Sequence, residues 1–249
     1  MTIDQIFPKS YSIVFFHAHC DDESFLSGGI LNQLVRMGRK CTIVYGAAAI
    51  VEGEDKTILR QKETIDACSI LGIDSTIFLS FCEPKYSNPG AHPLLNQKIE
   101  NVSEVLWEAL LSNNIKPPIS FVSYDKNGGY GNKDHKIIHL VGRDVNRKHK
   151  KSILFSEITM NRTMISKWLV DAKKRLDIKS LPQLSYWSTE FGLPTKDIQF
   201  SYRLTDKQLD LKSKALTIHK SQNPPKLFPL SLNSDDFERV FGKEFIYIP

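Results

Sequence analysis

The sequence has no apolar run long enough to cross a membrane. Its most apolar stretch, IVYGAAAIV at 43–51, is far shorter than the roughly 20 residues that a membrane helix needs. The opening segment MTIDQIFPKS has neither a basic n-region nor a long apolar h-region, so no secretory signal is expected. We therefore expect a cytoplasmic protein without a membrane span.

The sequence also has few cysteines and a small net charge. The four cysteines, Cys20, Cys41, Cys68 and Cys82, form no CxxC pair, and reduced thiols are expected because a chain of 249 residues needs no disulfide framework. A net charge of +5 is too small to indicate a nucleic-acid partner. The basic run RDVNRKHKK at 143–151 has no aromatic partners and is interpreted as a solvated helix end.

Strand-like and helix-like segments alternate through the first 150 residues. Runs of β-branched and aromatic residues predict strands at 12–18, 41–47, 75–81 and 119–124. Apolar residues at helical spacing predict helices over 25–38, 56–71 and 94–111. This alternation predicts βαβ units in a Rossmann-like α/β fold, with a mostly parallel sheet and flanking helices.

The pattern is weaker beyond residue 150. It predicts a strand at 153–158, a helix at 168–176, strands or hairpin arms at 185–194 and 198–204, and a helix at 207–219. We interpret 1–249 as a single domain. Residues 1–150 form its Rossmann-like core, and 151–249 form a less regular C-terminal segment that lines a substrate pocket.

Two clusters of metal-binding residue types follow predicted strands. The first motif, HAHCDDE at 17–23, places His19, Asp21, Asp22 and Glu23 after the first strand. The second motif, YDKNGGYGNKDHKIIH at 124–139, carries Asp134, His135 and His139 after the strand at 119–124. Because ligands collect at the carboxyl ends of strands in open parallel sheets, both motifs are expected at one edge. Asp134 is predicted to cap the helix that follows.

Two histidines and one carboxylate match the ligands of hydrolytic zinc, which keeps a position for water. His19, Asp22 and His135 make such a set, and Asp21 remains free to take a proton from the water. Iron or manganese stays open, since this set does not select a metal by itself. The alternatives are a polar turn that caps the next helix and a nucleotide-binding Rossmann domain, disfavoured because HCDDESFLSGG lacks GxGxxG.

Four segments resemble one known family. HAHCDDES resembles the AHPDDE signature of the LmbE-like, PIG-L-type N-deacetylases, and YDKNGGYGNKDH resembles their second motif in the form of the mycothiol-pathway branch. ILRQKETIDACSILGI at 58–73 and KALTIHKSQ at 214–222 resemble the family's R-x-x-E helix and its A-x-x-x-H-x-S-Q segment. The resemblance extends from about residue 12 to about residue 222.

The resemblance implies a zinc-dependent amidase that removes an acyl group, usually acetyl, from a small amino-sugar substrate. Carried over residue by residue, the family pattern assigns zinc binding to His19, Asp22 and His135, and the role of general base to Asp21. It assigns polarisation of the carbonyl to Tyr130, and substrate binding to Arg60 and His219. Two alternatives stay open: Tyr130 packs over the glycine turn, or Arg60 forms a salt bridge to Glu63 or Asp66 on its own helix. A homo-oligomer is also left open, because related folds often assemble.

Two positions depart from the family pattern. Cys20 stands where proline is usual, which places a thiol beside the predicted metal site, where it is open to oxidation or to a soft metal. Asn132 stands where the family usually has a histidine that stabilises the oxyanion and helps protonate the leaving amine. Asparagine donates a hydrogen bond but supplies no proton. Either Asp21, His139 or His219 moves the proton, or the chain is a reduced or silent member that binds metal and sugar.

Two further residues are given supporting roles. Glu23 is predicted to bond a backbone group or to orient a ligand rather than to catalyse. His139 lies one helical turn after His135, and a position behind the ligands or at the surface is favoured over direct metal binding.

Overall fold

The computed structural model describes residues 1–48, 54–73, 75–83, 92–175, 190–222, 230 and 232–249. Its strands are β1 (Ser12–His17), β2 (Cys41–Tyr45), β3 (Ser75–Phe78), β4 (Ile119–Tyr124), β5 (Ile153–Thr159), β6 (Phe200–Arg203) and β7 (Lys243–Tyr247). These strands form one sheet in the order β3-β2-β1-β4-β5-β7-β6. Pairing is parallel from β3 to β5, and β7 is antiparallel to both of its neighbours.

The helices are α1 (Ile3–Ile6), α2 (Gly28–Arg36), α3 (Glu54–Leu71), α4 (Ile99–Ser112), α5 (Gly128–Gly131), α6 (Lys133–His149), α7 (Arg162–Ala172), α8 (Asp206–Ile218) and α9 (Ser234–Phe241). A π-helical turn, Glu23–Ser27, leads into α2. No helix of the described ranges has the length and apolar character to cross a membrane.

The core is built around the central strands. Every residue of β2 and β4 is buried, and β1 is buried from Ile13 onward, as expected for parallel strands covered by helices. Their β-branched and aromatic side chains pack well on such a surface. The predicted Rossmann-like α/β fold with a mostly parallel sheet is therefore confirmed.

The strand order reverses at β1. The chain runs outward from β1 through β2 to β3, and then returns to add β4 on the other side of β1. In open α/β sheets, such a switch point opens a crevice outside the carboxyl ends of the two central strands. The first motif follows β1 and the second follows β4, so the fold brings both motifs to this crevice.

Several predicted boundaries differ from the structure. The helix expected at 94–111 is divided into a 3₁₀ turn, Leu94–Asn96, and α4, because Lys98 takes an extended backbone conformation at the start of α4. The helix expected at 168–176 begins at Arg162, where the Asn161 side chain accepts a hydrogen bond from the Met164 amide and caps α7. Half of the segment 185–194, residues 185–189, lies outside the described residues.

The C-terminal part adds two elements that the sequence patterns did not predict, α9 and β7. Strand β7 pairs with β5 on one side and β6 on the other. Its Glu244 carboxylate accepts the amide hydrogens of Gly29 and Ile30, at 2.8 and 2.6 Å, and pairs with Lys212 at 2.5 Å. The last strand thereby holds the first turn of α2, directly after the first motif.

Candidate metal centre

Three side-chain atoms converge at the crevice: Nδ1 of His19, Oδ2 of Asp22 and Nε2 of His135. We call them the donor triangle. Its edges measure 3.5 Å from His19 to Asp22, 3.2 Å from His135 to Asp22, and 3.2 Å from His135 to His19. A tetrahedral metal with ligand bonds of about 2.0–2.1 Å has ligand–ligand edges of about 3.3–3.4 Å. All three residues are buried, and the triangle has the size that such an ion requires.

The other ring nitrogens of both histidines are engaged. Nδ1 of His135 lies 3.2 Å from the Gly128 carbonyl, so this nitrogen carries the proton and donates it. Nε2 of His19 lies 3.0 Å from Oδ2 of Asp134 and donates in the same way. The nitrogens that face the triangle then present lone pairs, which is the arrangement of a histidine ligand held from behind.

The electrostatics of the triangle favour positive charge. Burial opposes protonation of His19, but Glu83, Asp134 and Asp22 outweigh it and raise the pKa of His19 well above its usual value. Burial likewise opposes ionisation of Asp22, but His135 and His19 lower its pKa well below the usual range. Nearby carboxylates favour a divalent cation at a site where two of the three metal-binding atoms are neutral histidine nitrogens.

Asp21 has an unusual backbone. Its φ of +140° lies in a region that residues with a side chain rarely adopt, and its amide donates to Oε2 of Glu23 at 3.1 Å. The side chain is half-buried. Burial and then the charge of Asp22 raise the pKa of Asp21 to about 7, against the opposing effect of Arg60. A carboxylate with this pKa is suited to accept a proton near neutral pH.

Glu23 is fully buried and accepts four hydrogen bonds. They come from the Asp21 amide at 3.1 Å, Ser24 Oγ at 2.5 Å, Tyr45 Oη at 2.9 Å and His219 Nε2 at 3.1 Å. The prediction that Glu23 bonds a backbone group is confirmed. The carboxylate supports the turn that carries Asp21 and Asp22.

Asn132, and not Asp134, caps α6, which corrects the prediction. Oδ1 of Asn132 accepts the Asp134 amide at 2.8 Å, and the Asp134 carboxylate is directed to His19. Burial raises the pKa of the Tyr130 phenol well above its usual value. A side-chain hydrogen bond with Asn132 opposes this shift. Oη of Tyr130 lies 3.4 Å from Nε2 of His135, next to the donor triangle.

Arg60 is 1% exposed and lies near Asp21. Its Nη1 donates to Glu83 at 2.6 Å. Among the described residues, Arg60 does not form the salt bridge to Glu63 or Asp66 of its own helix that the sequence left open. Asp66 pairs with Lys62 instead, and the Glu63 carboxylate accepts hydrogen bonds from Ser221.

His219 and His139 lie outside the donor triangle. His219 is 0% exposed and contacts Glu23. Nδ1 of His139 lies 3.0 Å from the carbonyl of Tyr124, whose ring stacks on His135 with centroids 4.1 Å apart. His139 therefore stands behind a donor residue, as the sequence favoured.

Cys20 does not behave as an exposed thiol at a metal site. Its side chain is completely buried, and burial raises its pKa to about 12. Burial in apolar surroundings disfavours the thiolate, which is the reactive form of cysteine. Cys20 is not among the three residues whose side-chain atoms converge, and oxidation or soft-metal binding by Cys20 stays a prediction. All four cysteines are free, as predicted.

Residues 14–146, a little over half of the chain, match the family model described as PIG-L: GlcNAc-PI de-N-acetylase. The chain belongs to the PIG-L family. A 1D-myo-inositol 2-acetamido-2-deoxy-alpha-D-glucopyranoside deacetylase of Acidothermus cellulolyticus is 27% identical to it over 158 residues, which cover 52% of this chain and 51% of the relative. The chain spans about half the length of the curated relatives it matches.

Two solved structures share the fold of this PIG-L family member. A deacetylase of the teicoplanin biosynthesis pathway superposes with a TM-score of 0.64 at 14% identity, covering 94% of this chain and 97% of the other. The N,N'-diacetylchitobiose deacetylase of Pyrococcus horikoshii gives a TM-score of 0.56 at 18% identity, covering 96% and 77%. At these identities the likeness establishes the fold.

Sequence reasoning missed several supports of the site. Glu83 follows β3 at the same edge of the sheet, and its position after a strand was a usable signal. Asp134 was placed at this edge but was assigned to the helix cap, whereas its carboxylate accepts a hydrogen bond from His19. The Gly128 carbonyl left no signal, since a backbone acceptor has no side-chain identity.

Proposed function

We propose that this chain is a divalent-metal-dependent N-deacetylase that acts on small amino-sugar substrates. Zinc is the proposed metal, held by His19, Asp22 and His135, with Fe²⁺ or Mn²⁺ as alternatives. The observation that carries the proposal is the donor triangle, which has the size of a tetrahedral site and lies beside a half-buried Asp21. The substrate class, an N-acetylated amino sugar, is proposed by analogy with the curated relatives, whose names describe deacetylases of an acetamido sugar.

The reaction replaces an amide with a carboxylate and an amine. A bound Zn²⁺ would supply a Lewis acid that acidifies water and polarises the acyl carbonyl. Asp21 accepts the proton of the attacking water and returns it to the departing amine nitrogen. Tyr130 donates a hydrogen bond to the carbonyl oxygen as that oxygen gains negative charge. Asn132 offers another donor but no proton, so Asp21 moves the proton in both steps.

Arg60 and Glu83 are proposed to hold the sugar. The pair lies close to Asp21, and the Arg60 Nε has no hydrogen-bond partner within the described part of the chain. A guanidinium and a carboxylate together offer donors and acceptors to sugar hydroxyls. Substrate contact by His219 stays a prediction, and its burial against Glu23 favours another role.

Metal analysis of the purified protein, combined with amine release from N-acetylglucosamine and N,N'-diacetylchitobiose, tests the proposal. We expect about one zinc per chain. In Asp21→Asn, zinc should stay bound while turnover falls by about 10²–10⁴. An Asp21→Asn protein with the unaltered rate would contradict the assignment of the base. Zinc without release from either substrate would favour a silent member that binds metal and sugar.

A further inference from the structure

The end of α8 reaches the turn after β1. His219 follows the last residue of α8, and its Nε2 lies 3.1 Å from Oε1 of Glu23, 196 residues earlier in the chain. Two residues later, Ser221 donates its amide and its hydroxyl to Glu63 on α3, at 3.0 and 2.5 Å. The segment 219–221 is therefore fastened at two points, one of which belongs to the first motif.

Glu23 connects this segment to Asp21. One carboxylate oxygen accepts from Ser24 and His219, and the other accepts from Tyr45 and the Asp21 amide. The φ of Asp21, +140°, persists only where the surroundings fix it. The orientation of the Glu23 carboxylate thus decides whether the Asp21 amide keeps its acceptor.

Burial makes the connection difficult to replace. Glu23 and His219 are both 0% exposed, so neither side chain exchanges this bond with bulk water. A buried carboxylate that loses one of its donors turns toward those that remain. Loss of the His219 ring would therefore act on the Asp21 backbone through Glu23, without contact between His219 and the donor triangle.

We propose that Glu23 and His219 are positioning residues that hold Asp21 in its left-handed conformation beside the donor triangle. This role rests on the deacetylase function proposed above. It gives the C-terminal segment a part in catalytic geometry, in addition to the pocket wall that the sequence predicts.

Steady-state kinetics of three variants test the role. In His219→Ala we expect kcat to fall by about 10- to 100-fold, with KM and zinc content unchanged. His219→Gln should recover most of this loss, because its amide nitrogen reaches the position of Nε2. Ser221→Ala is the matched control: it removes a hydrogen bond of the same segment to Glu63 and should keep kcat close to that of the unaltered protein. An unchanged kcat in His219→Ala, or a loss confined to KM or zinc, would overturn the proposal.

The amide resonance of Asp21 in ¹⁵N-labelled protein gives a readout that needs no turnover. We expect the proton shift of this amide to move upfield in His219→Ala, to return in His219→Gln, and to stay in place in Ser221→Ala. Glu23→Gln should move it as well, and it replaces His219→Ala if that variant does not fold. An Asp21 resonance that is insensitive to both changes refutes the positioning role. Absence of amine release by the unaltered protein refutes the proposed function alone.

Discussion

The two motifs of the candidate metal centre are held in different ways. In the second motif the supports are local: the Gly128 carbonyl contacts His135 seven residues later, and Asn132 caps the helix that carries it. The first motif depends on distant partners. His19 contacts Asp134 across 115 residues, and Glu23 contacts His219 across 196.

This difference determines where substitutions should act. A short glycine turn followed by a capped helix supplies most of the geometry of the second motif, so its sensitive positions lie inside the motif itself. The first motif takes its geometry from the assembled fold, so changes far along the chain should reach it. Each of the following predictions tests one side of this comparison.

The largest effect is expected from removal of a donor of the second motif. His135→Ala should lose the zinc and lower turnover by at least about 10³, because a bound metal supplies several kcal/mol of transition-state stabilisation. His139→Ala is the control, since it changes a histidine one turn later on the same helix and outside the donor triangle. Metal content by mass spectrometry separates the two variants. Full zinc occupancy in His135→Ala would remove it from the ligand set.

A smaller loss is expected when the local support is disturbed. A Cβ at Gly128 would lie 2.8 Å from Cβ of His135, whereas a Cβ at Gly38 would meet nothing within 4 Å. Both glycines have positive φ, so the backbone strain is shared and only the clash differs. Gly128→Ala should weaken zinc binding by about 10- to 100-fold. Gly38→Ala should cost about 1 kcal/mol of unfolding free energy and leave zinc affinity unchanged. Equal zinc affinities would show that the turn does not set the position of His135.

Asn132→His should produce opposite changes in rate and stability. An imidazole at this position could protonate the leaving amine and raise kcat by up to about 10². The helix cap on the Asp134 amide would be weakened, which costs about 1 kcal/mol. Asn132→Ala loses the same cap without gaining an acid, and its kcat should not rise. No rate gain with histidine would show that protonation from this position does not limit the reaction.

The smallest effect on activity is expected far from both motifs, at Asp236. Its carboxylate accepts from Arg175 through two nitrogens at 2.9 Å and from Trp168 at 2.8 Å, and the Arg175 bond lowers the pKa of Asp236 to about 2. A carboxyl with a lowered pKa stabilises the folded state above pH about 4, and this contribution is lost as the pH falls toward 2. Asp236→Asn should therefore cost about 1–2 kcal/mol at pH 7 and very little near pH 2.

Denaturant unfolding of Asp236→Asn across this pH range measures the difference, with zinc content and kcat expected to stay unchanged. The neighbouring exposed Asp235 provides the control through Asp235→Asn. A stability difference that does not depend on pH would exclude the ionised carboxylate as its source.

The sequence predicted the sheet core and the three donor residues for one physical reason. Parallel strands end at a common edge, so polar residues that follow β1 and β4 must meet there. It did not predict which side chains pair across that edge. Asp134 turns to His19 and Arg60 turns to Glu83, and both pairings depend on distances that only the assembled sheet sets. The chemical roles of the donor residues and of Asp21 stay predictions.

The C-terminal elements lay beyond sequence reasoning for a different reason. The five residues of β7 are too few to show a period, and its antiparallel place between β5 and β6 is decided by packing. Glu244 shows the same limit. Nothing in the sequence indicates that Glu244 is buried and accepts the backbone amides of Gly29 and Ile30, whereas the backbone contact of Glu23 was predicted.

The contact between Glu244 and the first turn of α2 also sets an order of events during synthesis. The two amides that this carboxylate accepts are made 215 and 214 residues before it. At about 5–20 residues per second, the ribosome reaches Glu244 on the order of tens of seconds after it has made the first motif. During that interval the amides of Gly29 and Ile30 are without this acceptor. The first turn of α2 therefore gains its contact with Glu244 only after Lys243–Tyr247 has been made.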